Sequence, residues 1–148
     1  MDPTEWFEHL VRLETVLWNG VDSGLRRMCG LSLGAYDTLR LIHRTPGCRV
    51  QDVAREMAIT VGGTSQAVDR LERDGYCRRV PNPTDRRSSL LELTDRGVAQ
   101  LAEADEAVRG LLADLVGGVL STRDEAAFGR HAATLRNAVA TRLAVTPQ

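Results

Sequence analysis

Arg86 and Arg87 stand side by side in the stretch NPTDRR, where Asn82, Pro83 and Asp85 supply turn chemistry. Two guanidinium groups at a turn repel each other in water. Against a phosphate backbone the same pair becomes favourable, because each planar fork matches phosphate oxygens and base edges, and a minor groove attracts inserted arginine. Residues 76–87 hold Arg78, Arg79, Arg86 and Arg87 against one acid, Asp85, while the whole chain carries a formal charge of only −1. Local charge, not net charge, is what could bind a polyanion.

Other chemistries find little support. His9, His43 and His131 lie far apart, and none stands at ligand spacing from another His, Cys or carboxylate, so neither a metal nor a cofactor is expected. No Ser/His/Asp or Cys/His arrangement comes with a nucleophile elbow or a glycine-rich phosphate loop, which argues against an enzyme. Cys29, Cys48 and Cys77 are odd in number and form no CxxC, so they read as unrelated reduced thiols. Cys29 lies close to Arg26 and Arg27, whose charge could lower its pKa and make it oxidisable. No apolar run approaches the roughly 18–20 residues of a membrane span, and MDPTEWFEHL lacks the basic and apolar regions of a secretory signal. A cytoplasmic protein with no membrane partner is the expectation.

The elements that must position the arginines are legible as periodicities. With 43% apolar and 26% charged residues, the chain reads as one folded domain, 1–148. Trp6, Leu10, Leu13, Leu17 and Val21 form one helical stripe, and Phe7, Val11, Trp18 and Leu25 an adjoining one, so the first helix needs a partner on a second side. Ser32 caps a helix with Leu33, Tyr36, Leu39 and Ile42 on one face. VQDVAREM is a short helix leaning on neighbours through Val50, Val53, Ala54 and Met57. Thr60 caps VGGTSQAVDRLERDG, with Val61, Ala67 or Val68, and Leu71 as core positions and Gly75 as left-handed terminator. YCRRVP and SSLLEL flank the turn as a β-hairpin. Thr94 caps a long helix bearing Val98, Leu101, Val108, Leu111, Leu115 and Val119. A last helix bears Phe128, Ala132, Leu135, Val139 and Leu143. The fold class is mainly α with a small β-hairpin wing (α+β): two short helices joined by a tight break, then the hairpin, are the plan of a winged helix-turn-helix.

At this point residues 50–97, VQDVAREMAITVGGTSQAVDRLERDGYCRRVPNPTDRRSSLLELTDRG, resemble the winged helix-turn-helix of the MarR family, the multiple antibiotic resistance regulators. The likeness is strongest in LERDGYCRRVPNPTDRRSSLLELTDRG, where the family pattern runs Leu-Glu-x-x-Gly, two strands, Asp-x-Arg in the wing, then Leu-Thr-x-x-Gly. The resemblance implies a homodimeric, cytoplasmic transcription factor, usually a repressor, that binds double-stranded DNA at an inverted repeat. It also implies a DNA-binding lobe over 32–97 and dimerisation helices over 3–29 and 98–145.

Carried over residue by residue, Asp85 would brace Arg87 for the minor groove, and Arg86 would meet phosphate or groove edge. In the recognition helix the exposed start would be Thr60, Gly62, Gly63, Thr64, Ser65 and Gln66, with Arg70 one turn on; glutamine can read adenine, and Ser or Thr either base or phosphate. Gly62 and Gly63 admit two readings, close backbone approach to DNA or a tolerated weak turn. Arg49 is a phosphate contact or plainly exposed. Asp69, Glu72 and Asp74 interleave with Arg70 and Arg73 as helix-surface pairs. A small aromatic or amphipathic effector would sit between the dimer helices and the lobe, with Trp18, Asp22, Arg26, Tyr36 and His43 as candidate lining. Three rivals stay open: a thiol-based redox sensor of the same fold, a winged-helix protein-interaction module without DNA binding, and a helical dimerisation domain of an enzyme.

Overall fold

A computed structural model of the chain describes residues 2–145. The elements run α1 (Pro3–Cys29), α2 (Leu33–Arg44), α3 (Val50–Met57), α4 (Val61–Arg73), β1 (Cys77–Pro81), β2 (Ser89–Leu93), α5 (Asp95–Val116) and α6 (Thr122–Val145). One compact unit extends to Leu111 and a second begins at Leu112.

The capping chemistry fixes most boundaries of the first unit. The Asp2 carboxylate accepts the Thr4 amide at the start of α1, Ser32 accepts Ala35 N–H for α2, and Thr60 accepts Gly63 N–H for α4. Each satisfies one of the orphan amides that open a helix. α3 is capped from the other direction: Arg49 has no oxygen to offer, and the Asp52 carboxylate reaches back to the Arg49 amide at 2.9 Å. Ala58 ends α3 in the left-handed region at φ 54°, a conformation that turns the chain sharply into α4. Gly75, at φ 78°, turns α4 into β1, where a side chain would be strained.

The core gathers Leu25 of α1, Tyr36, Leu39 and Ile42 of α2, Val53 of α3, Val68 and Leu71 of α4, Cys77 and Leu91 of the hairpin, and Leu101, Ala104 and Ala107 of α5. The face expected on α2 is thus buried, with Leu33 at its margin. One expected core position differs. Val61 is 53% exposed, because it opens α4 ahead of the first turn that touches the core, and the core face of α4 is instead Thr64, Val68 and Leu71. Of the apolar series expected on the long helix, Val98 and Leu115 are exposed on α5, and Val119 lies beyond its end and is exposed too.

Close approach decides two glycines. A Cβ on Gly24 would meet the Leu111 side chain at 2.4 Å, and one on Gly97 would sit 1.8 Å from the Tyr76 carbonyl oxygen. The Thr94 hydroxyl joins the same corner, donating to the Gly75 carbonyl at 2.6 Å and accepting Gly97 N–H at 3.0 Å. Across the unit, the buried Tyr36 donates its hydroxyl proton to Asp105 Oδ1 at 2.7 Å, tying α2 to α5. Burial first, then that hydrogen bond, pushes the Tyr36 phenol up to about 12.

Two stability measurements follow. Gly97→Ala should cost about 3 kcal/mol by overpacking against backbone, lowering the thermal midpoint by roughly 10 °C; an unchanged midpoint would mean that α5 docks elsewhere. Tyr36 prefers its neutral form in the fold, so its contribution is complete below the ordinary value of 10 and is lost as pH rises toward 12. Melting between pH 9 and 12 should therefore fall more steeply for the wild type than for Tyr36→Phe, and parallel curves would show that the phenol is not protected.

Candidate nucleic-acid interface

The hairpin pairs β1 with β2 in antiparallel register, Cys77 opposite Leu93, Arg79 opposite Leu91 and Pro81 opposite Ser89. Side chains alternate between faces along a strand, so Cys77, Arg79 and Leu91 share the inner face. Arg78 lies on the outer face, opposite Glu92, with which it forms a 3.0 Å ion pair. The second edge of β2 is used as well: Leu91 N–H donates to the Cys48 carbonyl at 2.7 Å, joining the wing to the loop before α3.

Arg79 does what the sequence did not reveal. Its guanidinium donates to Asp69 at 2.7 Å and to Glu72, and its backbone N–H donates to Glu72 Oε1 at 3.1 Å. Asp69 and Glu72 therefore pair with the wing, not with Arg70 and Arg73 as expected from their neighbourhood in sequence. Their spacing, i and i+3, was the available signal, since it puts two carboxylates on one helix face. The Arg79 side chain is 26% exposed, and the fork locks the hairpin onto α4.

The wing tip is held by its own polar groups. Asn82 is buried; its amide donates to Ser88 Oγ at 2.8 Å and its oxygen accepts from Thr84 N–H and from the Thr84 hydroxyl. Asp85 Oδ1 accepts Arg87 N–H at 3.0 Å. Asp85 thus bears on Arg87 through the backbone, fixing the turn and not the guanidinium. Asp85, Arg86 and Arg87 are exposed, and among the described residues neither of these two guanidinium groups has an ion-pair partner. Asn82 was legible only as a turn former.

On α4, Gly62 and Gln66 are exposed and Ser65 is half-buried, with Arg70 exposed one turn on. Gly62 has open space where a Cβ would stand, while a Cβ on Gly63 would meet the capping Thr60 hydroxyl at 3.1 Å. Thr64 corrects the expectation of an exposed start: it is fully buried, and its hydroxyl donates to the Thr60 carbonyl at 2.9 Å. The reason is phase, since Thr64, Val68 and Leu71 fall at i, i+4 and i+7 on the core stripe. Arg49 is neither free nor simply exposed, because its guanidinium lies 3.2 Å from Asp52, which also takes Arg55 at 2.8 Å. The hydrogen bond from Arg49 is the main reason that the Asp52 carboxyl is held below its usual range.

The expected effector residues have varied surroundings. Trp18 lines a surface cavity of about 220 Å³ on α1 with Glu14, Thr15 and Asn19. Asp22 is engaged structurally, accepting from Arg26 Nε at 2.7 Å and from Leu33 N–H at 2.8 Å, and the Arg26 bond lowers its pKa. Tyr36 belongs to the core, and His43 is exposed in the last turn of α2. The basis for the redox rival is reversed: partial burial and then Glu103 push the Cys29 thiol up, while Arg26 is engaged with Asp22. Cys48 and Cys77 are buried and pushed up to about 11 by desolvation. Among the described residues no group of His, Cys, Asp and Glu could hold a metal ion, and no helix is long and apolar enough to cross a membrane.

Comparison with known proteins meets this geometry. A family model described as MarR family matches residues 30–88. The HTH-type transcriptional regulator BilQ of Clostridioides difficile is 34% identical over 73 residues, 49% of this chain and 49% of BilQ. The chain thus spans about half the length of BilQ and of further curated relatives that it matches, 42% and 48% in two of them. The HTH-type transcriptional repressor Mb2911 of Mycobacterium bovis is 30% identical over 100 residues, which make up 68% of this chain and 71% of that repressor. Among solved structures, the transcriptional repressor CouR bound to a 23-mer DNA duplex is similar with a TM-score of 0.80 at 26% identity, over 92% of this chain and 98% of CouR. With its winged helix-turn-helix and this likeness to Mb2911 across more than two thirds of that relative, the chain belongs to the MarR family, a family of transcription factors and not of enzymes.

Proposed function

We propose that this chain is a DNA-binding repressor that grips an inverted-repeat duplex as a homodimer and lets go when a small aromatic or amphipathic molecule binds. The observation that carries the reading is the pairing, through Arg79, of a capped helix whose start exposes Gly62 and Gln66 beside a half-buried Ser65 with a wing whose Arg86 and Arg87 have no acidic partner among the described residues. The helix fits a major groove and the wing an adjoining minor groove. That Mb2911 and CouR are named as repressors, and CouR as bound to DNA, supports the sign and the partner. Such a protein works in the cytoplasm.

The lobe over 32–97 then does the reading, and the helices over 3–29 and 98–145 join the two copies. In support, Trp6, Phe7, Leu10 and Val11 of α1 and Phe128, Leu135, Val139 and Leu143 of α6 are exposed apolar residues that a second copy would cover. Half-sites about one helical turn apart follow from the two-fold symmetry. For the effector, the support is Trp18 at its cavity on α1.

The test titrates a duplex enriched from a random-sequence pool with the wild type, Arg87→Ala and Asp85→Ala at two salt concentrations. Two chains should bind per duplex. Arg87→Ala should weaken binding and lower the slope of log affinity against log salt by about 1, as one phosphate-side cation is lost. Asp85→Ala should also weaken binding, although it removes a negative charge, because the turn that presents Arg87 loses its clamp. Tighter binding by Asp85→Ala with unchanged binding by Arg87→Ala would reduce the wing to a solvated turn. Failure to enrich any duplex would favour the protein-interaction module.

A further inference from the structure

Ile59 and Val61 bracket the capping residue Thr60 and are 46% and 53% exposed. Both stand out against the rest of the lobe, where Val53, Val68, Leu71 and Leu91 are buried and Val50, Met57 and Leu93 pack against the core. Val61 opens α4, and Ser65 lies one turn behind it on the same stripe, while Gly62 and Gln66 form the next stripe around the helix. Because Cα–Cβ bonds tilt toward a helix N-terminus, an apolar side chain at the first position leads the helix into whatever it enters. Gly62 beside it has no side chain, and there is open space where a Cβ would stand.

The charges carried by the same helix and by the wing select its occupant. Arg70, Arg73, Arg86 and Arg87 are exposed without ion-pair partners among the described residues, and Arg79 engages Asp69 and Glu72. An apolar protein surface would leave these cations facing nothing. Duplex DNA satisfies both features, because between its phosphates the major groove presents one apolar group, the 5-methyl of thymine, which is read by side-chain apolar contact.

We propose that Ile59 and Val61 form an apolar reader of a thymine 5-methyl group, so that each half-site carries a thymine chosen by hydrophobic contact and not by hydrogen bonding. The proposal rests on the DNA-binding reading above and specifies what the tip of α4 reads. Gln66 and Ser65 read hydrogen-bonding edges, which uracil shares with thymine; the apolar pair reads only the methyl. The contact removes water from a methyl group and from branched side chains at once, so its loss is local and additive with wing contacts.

The experiment uses the full chain and a duplex enriched from a random-sequence pool, remade with deoxyuridine replacing one thymine at a time. At one thymine per half-site, removal of the methyl should weaken wild-type binding about fourfold, the worth of one buried carbon. Val61→Ala and Ile59→Ala should bind the thymine duplex more weakly and should bind the thymine and uracil duplexes alike. Both positions are exposed, so thermal melting should confirm that each variant stays folded. Enrichment of half-sites without thymine, indifference of the wild type to every uracil, or an equal loss in wild type and variants would overturn the proposal while leaving DNA binding intact. A pool in which nothing enriches would overturn the proposal together with the DNA-binding reading.

Discussion

The fork from Arg79 to Asp69 and Glu72 is the constraint on which the rest of the interface depends. It joins strand to helix across the turn at Gly75, and it sets the angle at which the wing stands beside α4. Its direct contribution to stability is modest, since the partner carboxylates are about half exposed, and pairs of that kind are worth on the order of 1 kcal/mol or less. Its larger effect is electrostatic. Two carboxylates on one helix face would repel a phosphate brought near it, and a guanidinium held against both offsets that repulsion while Arg86 and Arg87 stay outward-facing. Around this fork, other joints end on backbone groups: the Leu91 amide on the Cys48 carbonyl, the Thr94 hydroxyl on the Gly75 carbonyl and the Asp85 carboxylate on the Arg87 amide.

Much of the fold was legible because local rules agree with the tertiary answer. VQDVAREM is α3 residue for residue, and Ser32, Thr60 and Thr94 cap as their side-chain oxygens dictate. Gly75 turns left-handed where only glycine is comfortable. Thr64 was misplaced because its polar side chain suggested solvent, although its spacing from Val68 and Leu71 marks the core stripe; its hydroxyl is satisfied by the helix itself. Val61 was misplaced for the converse reason, since an apolar residue at the head of a helix looks like core until the end of that helix is seen to project beyond it.

Contacts between elements were not legible. Nothing in LERDGYCRR says that Arg79 reaches back to acids 7 and 10 positions earlier, because that depends on where β1 leaves the turn. The hydroxyl bond from Tyr36 to Asp105, 69 positions apart, could not be anticipated either, although the place of Tyr36 on the buried face of α2 was legible. Cys29 shows the limit of reading charge from neighbours in sequence: Arg26 is spoken for by Asp22, and the thiol is governed by burial and by Glu103, a residue remote in sequence. The doubled apolar stripe of α1 was legible as an excess over what its own chain buries, since Trp6, Phe7, Leu10 and Val11 are exposed whereas Val21 and Leu25 are buried.

Arg79 joins α4 and the wing into one unit. The most direct test is the affinity of Arg79→Met for the duplex enriched on the wild type, with circular dichroism and melting recorded on the same sample. A folded variant that binds roughly tenfold more weakly, about 1.4 kcal/mol, and whose affinity partly returns when Asp69→Asn and Glu72→Gln are added, is the expected result. A folded Arg79→Met variant with wild-type affinity would contradict the claim, since the helix and the wing would then find the duplex independently.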